Sequence, residues 1–407
     1  MESHKTVAFL LNRVDCNDGI ASHCETLMRG LRDLGWKVVL ITGKVNFDDS
    51  SLKRFKSLKE LSEEWIIFDT FNRVFPTLAS ISKILKVIRQ HKIQIFHAHG
   101  YSMLFSAMLF KRLTGVKCIA TFHLLKSIHL GKSGEDKKFR FRHLLLQNYL
   151  KMFSPDIFIA ISSDIERWLI EDIGISKLKV QKVFNGIDSQ YFHPPHDEER
   201  QKARDRFGLF EQDFVITLVG RLQWDKGHKL LIDAVNQIAD RNPSYLFKCL
   251  FAGSGDQRQE IEEYALSNAE NPHRFLFLGY VNEPRDVYWA SDVIVLPSQA
   301  EGFPLVILES MACGVVPIRT PAAGAYDQIE DGLNGFIIPF DDVEALSSRL
   351  LQLVVNPELQ LKMVNKALKL SNRKFTLEAM TLGTIESYEK ATTMFGVITL
   401  DNKPKNS

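Results

Sequence analysis

The sequence predicts an α/β fold in which two doubly wound domains face one another across a cleft. The chain has 407 residues, which is too long for one ordinary hydrophobic core and suits two. Short runs rich in β-branched and aromatic residues alternate with amphipathic helical stretches, and the alternation stops only between residues 191 and 208. Because parallel strands require crossover helices, this alternation predicts parallel sheets.

The first half opens with a βαβ unit. A strand is predicted at 6–11, and a polar loop containing Gly19, a helix ending at Gly35 and a strand at 37–42 follow it. Further strands are predicted at 93–99, 117–123, 156–162 and 179–188.

The stretch YFHPPHDEERQKARDRFG at 191–208 breaks this pattern, because its prolines and charged residues show no apolar period. We interpret it as the interdomain linker and the lead-in to the second domain. Strands are then predicted at 214–220, 245–253, 274–279, 292–298, 315–320 and 335–339, and a helix is predicted at 374–391. The chain is thus divided into segments 1–188, 189–373 and 374–407.

Composition excludes several classes of protein. The 51 Lys and Arg against 49 Asp and Glu give a net charge of +2, so no global basic field indicates nucleic acid as a partner. Five scattered cysteines without CxxC spacing argue against a disulfide scaffold or a zinc cluster. The apolar run at 7–11 is too short for a signal sequence, and no stretch approaches the ~20 apolar residues of a membrane span. A cytoplasmic location is expected.

Two cations follow the predicted strand 214–220, in VGRLQWDKGHKLL. Arg221 and Lys226 can converge on one dianion, Arg through its bidentate fork and Lys as a point charge. The alternative is a pair of solvated surface cations. Trp224, between them, is expected to pack against the protein.

The stretch EGFPLVILESMACG places two acids around a predicted helix start. Gly302 allows close approach of a ligand, and Pro304 suits the first position of a helix whose N-terminus would bind an anion. Glu309 would lean back over the same pocket. Beside a bound phosphate, which repels them, carboxylates favour hydroxyl groups as partners. A sugar nucleotide supplies both phosphates and hydroxyls. The alternatives are a solvent-facing Glu309 and a plain loop charge at Glu301.

Histidines follow two of the predicted strands in the first half. His123 stands at a strand end that would face the cleft. Three roles are open to it there: a general base, a hydrogen-bond donor or a structural residue. His97 and His99 share one face of a strand, but no acidic ligand pair accompanies them, so a metal site is rejected. Gly19 can let an amide meet a phosphate, although the loop is not GxGxxG, which argues against a dinucleotide-binding enzyme.

Together, GRLQWDKG, the E-x7-E pair in EGFPLVILE, FNGID at 184–188 and GIASH near the start resemble retaining GT-B-type glycosyltransferases of family four. The resemblance covers nearly the whole chain. It implies two Rossmann-like domains, with 1–188 binding the acceptor and 189–373 binding a nucleotide-sugar donor. It also implies a crossover helix and tail at 374–407.

By this resemblance, Arg221 and Lys226 would hold the donor diphosphate, with Gly19 near it, and Glu309 would hold the ribose hydroxyls. The family often has two adjacent glycines where this chain has Asp18 and Gly19, which weakens the expected phosphate contact of that loop.

Five further residues are expected at the transferred sugar. Glu301 and the backbone of Gly302, Phe303 and Pro304 would contact the sugar and the distal phosphate, and His123 would lie beside the sugar at the reaction centre. No cofactor and no metal are expected, since the chain has no apolar-flanked DxD and its own cations can neutralise the leaving group.

The expected activity is transfer of a hexose from a nucleotide sugar to a glycan or lipid-linked acceptor, in cell-surface polysaccharide or glycolipid biosynthesis. The alternatives are a GT-B-fold nucleotide-sugar epimerase and a non-catalytic scaffold. The two acids and the Arg-to-Lys loop argue against the epimerase.

Segment 124–153 mixes cations with Phe139, Phe141 and a leucine-rich run; the cations that matter here are Lys126, Lys132, Lys137, Lys138, Arg140 and Arg142. One interpretation is an amphipathic patch for anionic lipid headgroups, which would place the enzyme at the inner face of the membrane. The other is a solvated helix whose apolar face joins the core.

Overall fold

A computed structural model describes residues 5–68, 78–123, 137–242, 244–269 and 271–393, without the side chains of 78–79, 101 and 137–143. Two parallel sheets with helices around them build the molecule. This confirms the α/β fold of two doubly wound units. The domain boundaries drawn at 188 and 373 stay predictions.

The first sheet has seven strands in the order β3-β2-β1-β4-β5-β6-β7. Its strands are β1 Thr6–Asp15, β2 Lys37–Asn46, β3 Glu64–Ile67, β4 Ile95–His99, β5 Lys117–Phe122, β6 Ile157–Ala160 and β7 Val180–Lys182. Its helices are α1 Gly19–Asp33, α2 Leu52–Leu61, α3 Leu78–His91, α4 Leu104–Thr114, α5 Lys137–Met152 and α6 Ser163–Arg167. The strand order reverses between β1 and β4, so the loops after these strands border a crevice.

The second sheet has six strands in the order β10-β9-β8-β11-β12-β13. Its strands are β8 Phe214–Val219, β9 Phe247–Ala252, β10 Phe275–Gly279, β11 Val293–Leu296, β12 Val316–Arg319 and β13 Phe336–Ile337. The helices that follow the first unit are α7 Asp197–Arg206, α8 His228–Arg241, α9 Arg258–Ser267, α10 Arg285–Ala290, α11 Leu305–Ala312, α12 Ala325–Gln328, α13 Val343–Val354, α14 Pro357–Lys374 and α15 Leu377–Thr393. The order reverses between β8 and β11, and the loops after those two strands carry the predicted donor residues.

Local sequence explains α1, which orients one wall of the crevice. The Asp18 carboxylate accepts hydrogen bonds from the amides of Ile20 and Ala21, so it caps the helix. Cys24, Leu27, Met28 and Leu31 recur at helical spacing and are buried. This stripe packs α1 on the sheet and leaves its N-terminus at the crevice.

Two predicted segments differ from the structure. The supposed linker at 191–208 contains α7, whose acidic first turn and basic last turn suit the helix dipole although no apolar period marks it. Arg200 of α7 bonds to Asp292 at 2.7 Å, which fixes the helix to the second unit. The predicted strand 179–188 is shorter, because only Val180–Lys182 pairs with β6.

The last helix, α15, returns to the first unit and packs on α1, β5 and β6. The crossing is close, since a Cβ on Gly186 would lie 2.0 Å from the carbonyl oxygen of Thr376. Tyr388 of α15 also bonds through its hydroxyl to Nδ1 of His97 at 2.8 Å. Within the described parts of the chain, no helix is both long and apolar enough to cross a membrane.

Candidate active site

A cavity of about 330 Å³ lies between the two units, at the carboxyl ends of their strands. Loops that follow β1, β5, β8, β9 and β11 line it. All nine residues predicted from the sequence border this cavity: Gly19, His123, Arg221, Lys226, Glu301, Gly302, Phe303, Pro304 and Glu309. The structure therefore brings the whole predicted set together, while the role of each residue stays a prediction.

The two cations of the loop after β8 differ in their exposure to solvent. Arg221 is exposed at the cavity, whereas the side chain of Lys226 is 15% exposed and its Nζ lies 2.7 Å from Oε1 of Glu301. Gly227 holds this loop against β11, because its φ is +80° and a Cβ there would lie 2.3 Å from the carbonyl oxygen of Pro297. Lys226 is therefore not a solvated surface cation.

Trp224 packs outside the cavity, as predicted. Its indole Nε1 donates a hydrogen bond to Glu260 at 3.0 Å, and its ring meets the Tyr264 ring edge-on at 5.9 Å. These contacts fix the loop that carries Arg221 and Lys226 without using the indole on a ligand.

The loop from Glu301 to Pro304 is pressed against the first unit. A Cβ on Gly302 would lie 1.9 Å from the main-chain oxygen of His123, so only glycine fits there. The Asn185 amide donates to the Phe303 carbonyl at 2.8 Å, and the Phe303 ring stacks on Phe184 at 5.1 Å. Asn185 belongs to the FNGID motif, whose structural use the sequence did not reveal.

The start of α11 faces the cavity. Pro304 is the N-cap of this helix and not its first residue, which corrects the prediction by one position. Among the residues described, no side chain caps the first-turn amides, and Leu305 and Val306 line the cavity. The positive end of the helix and its free amides are therefore available to an anion.

Glu309 is partly buried and borders the cavity, so it is not a carboxylate on the solvent face of its helix. Its Oε2 accepts a hydrogen bond from the Tyr288 hydroxyl at 2.6 Å. Burial raises the pKa of the Glu309 carboxyl, while the Tyr288 bond and the charge of Arg54 oppose the shift. Tyr288, on α10, was not predicted from the sequence, because nothing local marks it as the partner of an acid.

The Asp18 side chain reduces the capacity of the loop after β1 to bind an anion. Its carboxylate already occupies the amides of Ile20 and Ala21, so part of the anion-binding capacity of α1 is used within the protein. Burial raises the pKa of Asp18, and the charge of Arg221 is among the groups that oppose this. A Cβ on Gly19 would meet no atom of the described residues within 4 Å, which leaves room for a ligand.

Four histidines form a cluster beside the cavity, and of these His123 lines it. His99 Nδ1 lies 3.0 Å from His123 Nε2, and the two rings are nearly parallel. His23 of α1 meets the His123 ring edge-on at 4.7 Å, and His97 bonds to Tyr388 and to Thr121. Burial lowers the pKa of His23 to about 4 and that of His97 to about 3. It also lowers the pKa of His99 and of His123 well below the usual range.

One ring nitrogen each of His23, His99 and His123, any of which can ligate a metal, lies within 4.8 Å of the other two. The facing nitrogens of His99 and His123 are directed at each other, so this geometry favours a hydrogen-bonded cluster over three ligands aimed at one point. The sequence did not reveal the part played by His23, because His23 lies on α1 and its ring neighbours, His99 and His123, lie at the ends of two strands.

Arg54 was also not predicted from the sequence. Its guanidinium donates to the Cys16 carbonyl at 2.8 Å and to the Tyr280 hydroxyl at 3.2 Å. The neighbouring Lys53 bonds to Glu283. Helix α2 therefore ties the two units together beside the cavity.

Two facing doubly wound units, a returning C-terminal helix and a polar cavity between them are the architecture of GT-B-type glycosyltransferases. Residues 17–191 match the family model for Glycosyltransferase Family 4, and residues 199–370 match that for Glycosyl transferases group 1. The chain belongs to this glycosyltransferase family, which confirms the family inferred from its motifs, while the retaining outcome stays a prediction.

Relatives support the same assignment over most of the chain. An uncharacterized glycosyltransferase of Methanocaldococcus jannaschii is 25% identical, over 93% of this chain and 96% of its own. An Escherichia coli enzyme named UDP-Gal:alpha-D-GlcNAc-diphosphoundecaprenol alpha-1,3-galactosyltransferase is 26% identical, over 72% of this chain and 75% of its own. The crystal structure of HepE from Anabaena with UDP and glucose superposes with a TM-score of 0.76 at 19% identity. It covers 95% of this chain and 100% of HepE, and it shows the shared fold.

Proposed function

We propose that this protein is a retaining glycosyltransferase that moves a hexose from a nucleotide sugar to a glycan or lipid-linked acceptor. The observation that carries the proposal is the lining of one cavity: cations that include Arg221 and Lys226, a helix N-terminus that no described side chain caps, and carboxylates that include Glu301 and Glu309. Phosphates are matched by the first two features and hydroxyls by the third. A nucleotide sugar has both kinds of group.

The donor side of the proposal uses the second unit. Arg221, Lys226 and the first amides of α11 hold the diphosphate, and Glu309 accepts from the ribose hydroxyls. The Tyr288 hydroxyl, 2.6 Å from Glu309, keeps that carboxylate in place. Groups fixed in advance around a leaving diphosphate stabilise the charge that develops on it, without a metal ion.

The transferred sugar lies between Glu301, the Gly302 to Pro304 backbone and His123 in this proposal. The bond between the anomeric carbon and the diphosphate oxygen breaks, and the acceptor oxygen bonds to that carbon from the same face. The acceptor proton passes to an oxygen of the leaving diphosphate. Contact between Gly302 and His123 supports this arrangement, because it brings both units to one point.

The acceptor is proposed to be a glycan or a lipid-linked sugar. The name of the Escherichia coli relative describes a lipid diphosphate acceptor. Residues 124–136 of the predicted lipid patch and the side chains of 137–143 lie outside what the structure describes, but on α5 Leu144, Leu145 and Met152 are 51%, 52% and 68% exposed. This apolar surface supports contact at the inner face of a membrane.

Release of free nucleoside diphosphate tests the activity. A thermal-shift screen over UDP-, GDP- and ADP-sugars identifies the donor, because ligand stabilisation grows with concentration over Kd. With that donor, we expect nucleoside diphosphate release only when an acceptor is present, and a product of unchanged anomeric configuration. Release of an epimerised donor without an acceptor would favour the epimerase, and no turnover with any acceptor would favour a scaffold.

Vesicle binding tests the membrane contact separately. We expect the chain to sediment with anionic vesicles and to lose this on conversion of the six cations of the patch to Gln. Those cations are Lys126, Lys132, Lys137, Lys138, Arg140 and Arg142. Binding that is unchanged in this variant would refute the contact.

A further inference from the structure

We propose that His99 is a positioning residue that fixes the tautomer of His123, so that His123 presents an N–H donor to the cavity and does not act as a general base. The inference rests on the proposed function for its kinetic part only. Its geometric part concerns two side chains of this chain and stands by itself.

The two rings share one proton between facing nitrogens. His99 Nδ1 and His123 Nε2 lie 3.0 Å apart, a hydrogen-bond distance in which one nitrogen donates and the other accepts. Burial lowers the pKa of both rings well below the usual range, so each ring is neutral near pH 7 and carries one N–H. Only two arrangements remain.

In the first arrangement His99 donates from Nδ1, so the proton of His123 lies on Nδ1. In the second, His123 donates from Nε2, and His99 must carry its own proton on Nε2. The two arrangements differ in what the outer nitrogen of each ring offers to its surroundings.

The surroundings of His99 favour the first arrangement. Its Nε2 is buried and has no hydrogen-bond partner among the residues described. The rings of Phe9 and His97 lie 4.9 and 4.4 Å from the His99 ring. A buried N–H without an acceptor is rare in folded proteins, and a bare acceptor is less so. The proton of His99 is therefore placed on Nδ1.

This choice determines what His123 offers. With Nε2 accepting from His99, the proton of His123 lies on Nδ1, the remaining nitrogen of a side chain that lines the cavity. That nitrogen donates to a sugar or phosphate oxygen and has no lone pair to accept the acceptor proton. The assignment agrees with a reaction in which the leaving diphosphate is the base.

Histidine side-chain nitrogen NMR of the whole labelled chain tests the tautomer. We expect His123, assigned by loss of its signals in His123→Gln, to show a protonated Nδ1 and a bare Nε2. His99→Leu should redistribute the proton between both nitrogens. His99→Asn should retain the wild-type pattern, since its Nδ2 lies two bonds from Cβ, as Nδ1 does, and can donate.

His97→Asn is the matched control, because His97 is a buried histidine of the same strand whose nitrogens bond to Tyr388 and Thr121. It should leave the His123 signals unchanged. A wild-type His123 protonated on Nε2 overturns the proposal, as does an unchanged pattern in His99→Leu or an equal change in His97→Asn. The wild-type spectrum decides even if a variant does not fold.

The kinetic part is measured with the donor found by thermal shift. His99→Leu should lower kcat/KM about tenfold, the loss of about 1.4 kcal/mol, and His99→Asn should restore most of it. Unchanged kcat/KM in His99→Leu overturns the positioning role. If no donor and acceptor give turnover, the proposed function fails, while the NMR result still stands or falls by itself.

Discussion

The ammonium of Lys226 lies 2.7 Å from the carboxylate of Glu301, and both side chains are largely shielded from solvent. The sequence predicted both residues for the donor, but not that they would bind each other. A partly buried pair of this kind leaves little net charge when the cavity is empty. In the proposed function, a diphosphate shares the Lys226 ammonium with Glu301, and the like charge of that carboxylate competes with it.

Lys226→Ala should weaken donor binding by about 1.5–3 kcal/mol, the value expected for a lost hydrogen bond to a charged group. Calorimetry with the nucleoside diphosphate measures it. Lys229→Ala is the control, because Lys229 is a lysine on the next helix that pairs with Asp233. Equal donor affinities for wild type and Lys226→Ala would place the diphosphate elsewhere.

Glu301→Gln should act in opposite directions on binding and transfer. Removing the carboxylate frees Lys226 and removes repulsion, so the nucleoside diphosphate should bind more tightly by about 1 kcal/mol, roughly fivefold. Transfer of the sugar should fall, because the acid proposed to hold its hydroxyls is gone. Calorimetry and the release assay measure the two effects, and weaker diphosphate binding would show that Glu301 does not compete.

Glu309→Gln should weaken binding of the nucleoside diphosphate about tenfold, since an amide is a poorer acceptor for ribose hydroxyls. Tyr288→Phe should have a smaller effect in the same direction, because it removes only the hydroxyl that bonds to Glu309. Tyr264→Phe is the matched control, as its hydroxyl bonds to the carboxylate of Asp233 outside the cavity. Normal affinity in Glu309→Gln would remove its ribose role.

Much of the site could be predicted because parallel strands end at one edge of a sheet. Arg221 and Glu301 follow β8 and β11, which are neighbours in the second sheet, so their loops had to meet. The glycine and proline at 302 and 304 also indicated a helix start, correct to within one residue.

The sequence did not reveal pairs of residues that are brought into contact only by tertiary packing. Tyr288 reaches Glu309 because α10 lies beside α11, and Asn185 reaches Phe303 across the two units. No local pattern encodes such pairs. Helix α7 was missed for another reason, since its order depends on capping and charge and not on an apolar stripe.

The histidine cluster should make stability fall as the pH is lowered. The folded pKa of His23 is about 4 and that of His97 about 3, below the ordinary value of 6.5. The unfolded chain therefore binds more protons between these values and pH 6.5, so acid favours unfolding there. Each such histidine contributes about 1.4 kcal/mol per pH unit in that window.

Chemical denaturation at pH 7, 6 and 5 measures this slope. His23→Leu should reduce the slope by about 1.4 kcal/mol per pH unit, the contribution of one bound proton. The control is His273→Gln, which should leave the slope unchanged, since His273 is exposed. A slope that His23→Leu leaves unchanged would show that folding does not lower the pKa of His23.

Gly302→Ala should separate the two units at the reaction centre. Its Cβ would lie 1.9 Å from the main-chain oxygen of His123, and backbone cannot yield as a flexible side chain does. Overpacking of this kind costs about 1–3 kcal/mol, so we expect a lower Tm and a large loss of sugar transfer. Gly383→Ala is the control, because the atoms nearest to its Cβ would belong to the Val183 side chain, at 3.2 Å, and Gly383 lies inside a helix, which favours Ala. Wild-type Tm and transfer in Gly302→Ala would mean that this contact between the units is not needed for the reaction.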